Sequence, residues 1–317
     1  MLSQLLNSDH EDFKSMPVTA VVRKESQADT LKENGVEAVV LPDGLDDLNG
    51  LADLASQYDI VVQAAYGYHP ASAEALIRGL ARRQEETGRS TFYVQVSDTL
   101  WAIVGKIGMT CTDSERLQVS GTTSIAVSDI SPTEVHGGPF SDKDDGIYEY
   151  EVKREKILPY VQRTLDVKVV EAGENHGVRT YLIVPPHVYG RGTGLFNRTS
   201  QLIPFISKNA IDSGKVKYIL PGTSTYGYVH VEDLANLFIA VISRALEDPT
   251  LKAGRRGYFF TETGEYSWLE LAEAIAQAGY ELGAFSSPEL TPVDLRNPGV
   301  KPWGVDDAMT ERIFASS

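Results

Sequence analysis

Residues 184–194 read VPPHVYGRGTG, and residues 226–238 read YGYVHVEDLANLF. The first stretch ends an apolar run, Tyr181-Leu182-Ile183-Val184, at a Pro-Pro pair that cannot continue a central strand. It opens into a glycine-rich loop whose backbone can approach a flat ligand closely. The second passes from a short strand into an amphipathic helix, with Glu232 and Asp233 in the first turn, where carboxylates complement the helix dipole.

Upstream of both, β-branched runs alternate with helical patterns. Strands are expected over 17–22, 36–41 and 59–65, and helices over 26–34, closed by Gly35, and over 48–57. A helix over 71–86 and a strand over 91–95 follow, then one long helix over 148–165, a strand-like run over 167–171 and a strand over 179–184. Downstream, 257–260 reads as a strand, and Ser267 with Glu270 opens a helix in capping-box style. The alternation predicts an α/β fold with a doubly wound parallel sheet and helices on both faces.

Composition narrows the function. A chain of 317 residues can bury a substantial core, and its formal charge of −15, with no basic block, argues against nucleic acid. Cys111 is the lone cysteine, so an intrachain disulfide is impossible, and the six scattered histidines form no metal constellation. No stretch approaches the roughly 20 apolar residues of a membrane span. The N-terminus has no signal-like h-region, so a cytoplasmic location is expected.

In order and spacing, Pro185-Pro186-x-x-Tyr189-Gly190 and Tyr228-x-His230-x-Glu232-Asp233 resemble the extended short-chain dehydrogenase/reductases, the NAD-dependent epimerase/dehydratase family. The resemblance implies a Rossmann-like NAD(P)-binding domain over 1–184, to which 226–247 returns. A smaller substrate-binding domain would span 185–225 and 248–317. The family's first strand and its G-x-x-G-x-x-G turn, which seats the cofactor diphosphate, have no counterpart here. Residues 3–7 read as the tail of the helix that follows that turn, so the resemblance implies an N-terminally truncated chain lacking its central first strand.

Val-Ser follows Gln twice, at Gln95 and at Gln118. Excising residues 96–118, which are 23 residues or 69 nucleotides, joins the flanks as YVQVSGTTS. A retained short intron explains the repeat; the alternative is a surface insertion loop.

The resemblance also assigns roles. Thr122, with Ser120 and Thr123 beside it, takes the position that hydrogen-bonds a substrate hydroxyl or carbonyl. The proton-transferring tyrosine is Tyr148 or Tyr150 and the cation is Lys153, which lies five residues after the first and three after the second. Such a pair works because an ammonium stabilises a phenolate whose pKa is otherwise near 10. Arg23 and Lys24 suit the extra phosphate of NADP, with NAD as the alternative. Asp43 takes the adenine position, Ala64 and Ala65 line the adenosine half, and Lys153, Pro185, Pro186 and Val188 adjoin the nicotinamide. Tyr66, His69, Asn197, Tyr228 and His230 are candidate substrate contacts. The function implied is oxidation, reduction or epimerisation at a CH-OH or carbonyl group of a small molecule, in a possible homodimer. The alternatives are a non-catalytic NmrA-like dinucleotide sensor and an inactive truncated family member.

Overall fold

The computed structural model describes residues 1–8, 11–64, 69–96, 121–126, 140–196, 198–200 and 202–297. The segment suspected as an insertion lies, beyond Val96, outside these residues. Helices α1 (Leu2–Leu6) and α2 (Glu11–Lys14) precede β1 (Thr19–Val22), α3 (Glu25–Glu33), β2 (Glu37–Val40), α4 (Leu48–Ala55), β3 (Ile60–Gln63), α5 (Pro70–Thr87) and β4 (Phe92–Val96). After a 3-10 turn at Gly121–Ser124 come α6 (Ile147–Ile157), α7 (Val161–His176), β5 (Arg179–Val184), β6 (His187–Tyr189), α8 (Leu202–Ser213) and β7 (Val216–Ile219). The described chain ends with β8 (Thr225–His230), α9 (Val231–Glu247), β9 (Tyr258–Phe260), β10 (Gly264–Ser267), α10 (Trp268–Glu281) and β11 (Leu290–Val293).

Local chemistry sets these boundaries. The Asp47 side chain accepts from the Gly50 amide at the start of α4, and Ser267 and Glu270 form the expected capping box on α10. Gly35 takes the left-handed conformation, φ 75°, that releases the chain from α3 into β2.

The main ladder is parallel, in the order β3-β4-β5-β9, and β1 pairs in parallel with β2. Among the described residues no strand bridges β1 to β3; their bases are tied by the Tyr58 hydroxyl, which donates to Thr19 Oγ1 at 2.8 Å. Side-chain alternation along β4 and β5 feeds two cores. Tyr93, Leu182 and Val184 pack with α4, α5 and α7 on one face. Phe92, Val94, Tyr181 and Ile183 pack with α9 and Phe13 on the other. This is the doubly wound arrangement, with helices on both faces of a parallel sheet. A smaller parallel pair, β7 with β11, packs with Ala272 and Ala276 of α10 and Ala210 of α8.

Two expectations are corrected. The single helix over 148–165 is two helices broken at Leu158-Pro159-Tyr160, because Pro159 offers no amide and forces Leu158 out of helical geometry, to φ −139° and ψ 87°. The strand-like run over 167–171 is helical, inside α7. Val169, Val170 and Ala172 are buried in the helix layer there, and that packing outweighs the β-branched propensity.

Candidate active site

The loops at the carboxyl edge of the parallel strands carry most of the candidate residues. Arg23 follows β1 and is exposed, Lys24 stands at the N-cap position of α3, and Asp43 at that of the short turn after β2, neither side chain bonding the helix end. These loops abut: a Cβ at Gly44 would lie 3.0 Å from Arg23 Cδ. Ala64 is exposed at the end of β3, while Ala65, Tyr66 and Asn197 lie outside the described residues.

His69 serves a structural task that the sequence did not reveal. Its Nδ1 accepts from the Ser72 amide at 3.1 Å, capping α5, which leaves the proton on Nε2 facing Asp46 Oδ1 at 3.1 Å. From Ser72, whose Oγ accepts from Gln63 Nε2, a buried chain continues through Gln63 Oε1 to the Tyr93 hydroxyl and Gln95, so this edge is fixed from within the core.

The turn bearing Thr122 is held by partners from three directions. The Thr122 amide donates to the Pro185 carbonyl at 3.2 Å, joining this turn to the Pro-Pro loop. Ser124 Oγ donates to Glu151 at 2.9 Å, and the other oxygen of Glu151 accepts from Tyr258 at 2.7 Å. Arg163 Nε donates to the Ser124 carbonyl at 2.8 Å. Glu151 and Arg163 are both 0% exposed. Burial pushes the Glu151 carboxyl up to about 7, against the opposing pull of the Tyr258 and Ser124 hydroxyls and the Arg163 charge.

The two candidate tyrosines diverge, because residues two apart on a helix face roughly opposite sides. Tyr150 donates to the Ile125 carbonyl at 3.4 Å, beside the Thr122 turn. The cation at its phenol is Arg154, at 3.2 Å, which also donates to the Ile125 and Ala126 carbonyls; Lys153 is exposed. Burial raises the Tyr150 phenol and Arg154 partly offsets it. Tyr148 instead lies under the Arg255 guanidinium, 4.7 Å from the ring centroid, with its phenol raised by burial and then by Glu171.

Past the buried Pro185 and Pro186, β6, β8 and β10 form a small sheet. Val188 pairs with Val229, and Tyr228 stacks on Tyr266 with ring centroids 6.1 Å apart. His230 caps α9 through Nδ1, and its ring meets Tyr189 edge-on at 5.2 Å. Gly190, at φ 97°, lies so close to His230 that a Cβ would overlap the imidazole. His187 is buried and bonded through Nδ1 to the Tyr266 hydroxyl at 2.5 Å; burial lowers its pKa to about 4.

Glu151, Arg154, Arg163, Tyr258, His187 and Tyr266 were not among the sequence candidates. Only Arg154 left a signal, its four-residue offset from Tyr150. Among the described residues no three His, Cys, Asp or Glu side chains gather as metal ligands, and no helix is long and apolar enough to cross a membrane.

Residues 147–253 match the model of the NAD dependent epimerase/dehydratase family. The protein named Oxidase ucsJ, from Acremonium sp, is 25% identical over 289 residues, covering 87% of this chain and 75% of its own. A dTDP-glucose 4,6-dehydratase from Streptomyces venezuelae, solved with NAD and DAU bound, superposes with a TM-score of 0.57 at 14% identity, over 100% of this chain and 87% of that one. A UDP-glucuronic acid 4-epimerase from Bacillus cereus gives 0.52 at 11% identity, over 98% and 93%. Residues 147–253 are thus similar to the NAD dependent epimerase/dehydratase family, and the chain shares the fold of these dehydratase and epimerase structures.

Proposed function

We propose that the protein is a NAD(P)-dependent oxidoreductase or epimerase acting on a CH-OH or carbonyl group of a small molecule. The observation that carries this reading is the bond from the Thr122 amide to the Pro185 carbonyl, with the Tyr150 phenol reaching the same turn. The described residues fit the two ends of a dinucleotide. Arg23 and Lys24, on a loop abutting that of Asp43, suit the adenosine phosphate of NADP, and the buried Pro185-Pro186 pair offers a flat apolar wall to a nicotinamide. The diphosphate is assigned to none of the described residues. When bound, the cofactor supplies the hydride chemistry.

In this reading Thr122 orients the substrate oxygen and Tyr150 moves its proton. Arg154 stands in for the usual lysine: a permanent positive charge 3.2 Å from the phenol stabilises the phenolate but gives up no proton of its own. The test is titration of the protein with NADPH and NADH, followed by NADPH-dependent reduction of an aldehyde and ketone panel. Tyr150→Phe lowers turnover about 100-fold or more, while Tyr148→Phe leaves it within about twofold. Failure to bind either nicotinamide overturns the proposal.

One observation favours the sensor reading as second choice. Arg154 is shared with two carbonyls, and burial still holds the Tyr150 phenol above its ordinary value. Tight NADPH binding without turnover on any carbonyl, unaffected by Tyr150→Phe, selects it.

A further inference from the structure

Residues opposite one another in a ladder share a face of the sheet. His187 and Gly264 stand opposite Tyr228, Tyr189 opposite His230, and Tyr266 opposite Tyr226, so one face of β6, β8 and β10 carries six rings and a glycine. The rings form a connected set. Tyr189 meets Tyr228 edge-on at 5.7 Å, Tyr228 stacks on Tyr266 at an interplanar angle of 21°, and His187 meets Tyr266 at 5.7 Å. No Lys or Arg occurs in β6, β8 or β10; Glu265, opposite Gly227, and Glu262, against Gly227, lie on the other face of the sheet.

His187 adds a polar feature. It is 2% exposed, and its Nε2 has no hydrogen-bond partner among the described residues. Donation from Tyr266 to Nδ1 uses the phenol proton and leaves Nε2 as a buried donor, which is costly unless an acceptor meets it.

We infer that this aromatic face is the substrate seat, and that it takes an uncharged, planar, ring-bearing carbonyl compound or its alcohol, with a ring-borne oxygen, distinct from the reacting one at Thr122, accepting from His187 Nε2. The inference rests on the oxidoreductase reading above and names its substrate class. A nucleoside diphosphate sugar is disfavoured, because no Lys or Arg on the three strands offsets its two negative charges. Flat neutral rings gain offset and edge-on contacts from the tyrosines.

The test uses the full chain and ligand-observed NMR titration with 6-methoxy-2-acetylnaphthalene, whose ether oxygen serves as the acceptor, and with UDP-glucose as the competing class. We expect saturable binding of this naphthyl ketone and none of UDP-glucose. Tyr228→Ala weakens the naphthyl ketone about fivefold, Tyr228→Phe keeps it within about twofold, and His187→Phe weakens it about fivefold. Circular dichroism confirms that each variant folds. Preferential binding of UDP-glucose, no binding of the naphthyl ketone, or equal affinity in Tyr228→Ala overturns the inference. A parallel NADPH titration separates the two claims. NADPH binding without naphthyl ketone binding removes the substrate class alone, and ketone binding without NADPH binding removes the oxidoreductase reading alone.

Discussion

Arg163 donates its Nε proton to the Ser124 carbonyl at 2.8 Å, and both residues are 0% exposed. The same guanidinium donates to the Leu158 carbonyl at 2.9 Å and lies 3.6 Å from Glu155, so one side chain ties the break between α6 and α7 to the turn that carries Thr122. Removing it strands buried acceptors rather than merely deleting a bond. We predict that Arg163→Met costs about 3 kcal/mol or more. Urea denaturation measures it; an unchanged midpoint would mean that the turn is held by its other contacts.

Glu151 and His187 make opposite contributions to the pH dependence of stability. Glu151 holds its proton up to about 7 in the folded protein, whereas an unfolded glutamate releases it near 4.5, so its contribution falls as pH rises between those values. His187 stays neutral down to about 4, whereas an unfolded histidine protonates near 6.5, so its contribution rises with pH over that window. Each is of order 3 kcal/mol, and between about pH 4.5 and 6.5 they offset one another. Glu151→Gln then shows stability climbing more steeply with pH than the wild type, and His187→Asn shows it falling. Denaturation midpoints at half-unit pH steps decide this; parallel curves for all three proteins would contradict it.

The parts of the fold that local chemistry dictates were readable from the chain. The βαβ alternation, the Pro185-Pro186 stop and the Ser267–Glu270 capping box each depend on residues close in sequence. The α6–α7 break was also written there, in Leu158-Pro159, but the β-branched run that follows obscured the start of a second helix. The polar core was not readable. Glu151, Arg154 and Arg163 occur in a segment of mixed charge that reads as a solvated surface, and Arg163 is buried because it meets a carbonyl 39 positions away. The order β10-β8-β6 likewise brings Tyr266 beside His187 across 79 positions, which no periodicity reports.

If Arg23 and Lys24 meet the adenosine phosphate of NADPH, their charge acts on one cofactor and not the other. The double variant Arg23→Ala, Lys24→Ala is predicted to weaken NADPH about tenfold or more while NADH changes less than about twofold. The wild-type preference should also shrink as salt is raised from low to about 0.5 M, because both loops are open to solvent. Fluorescence titration gives both numbers, and an equal loss for the two nicotinamides would place the phosphate elsewhere.

Gly190 offers a test of the loop that follows the Pro-Pro pair. Its φ of 97° lies where residues with a Cβ are strained, and the added carbon would also overlap the His230 imidazole. Either effect alone is tolerable in a mobile loop, but here His230 is anchored by capping α9 through the Glu232 amide, at 3.3 Å, and by the Tyr189 ring. The imidazole therefore yields only by giving up the cap. Gly190→Ala is predicted to cost about 2–4 kcal/mol, the sum of backbone strain and a lost cap. Adding His230→Ala should restore the share owed to the overlap, so the double variant loses less than the two single losses combined. Additive losses in a denaturation cycle would show that backbone strain accounts for the whole effect.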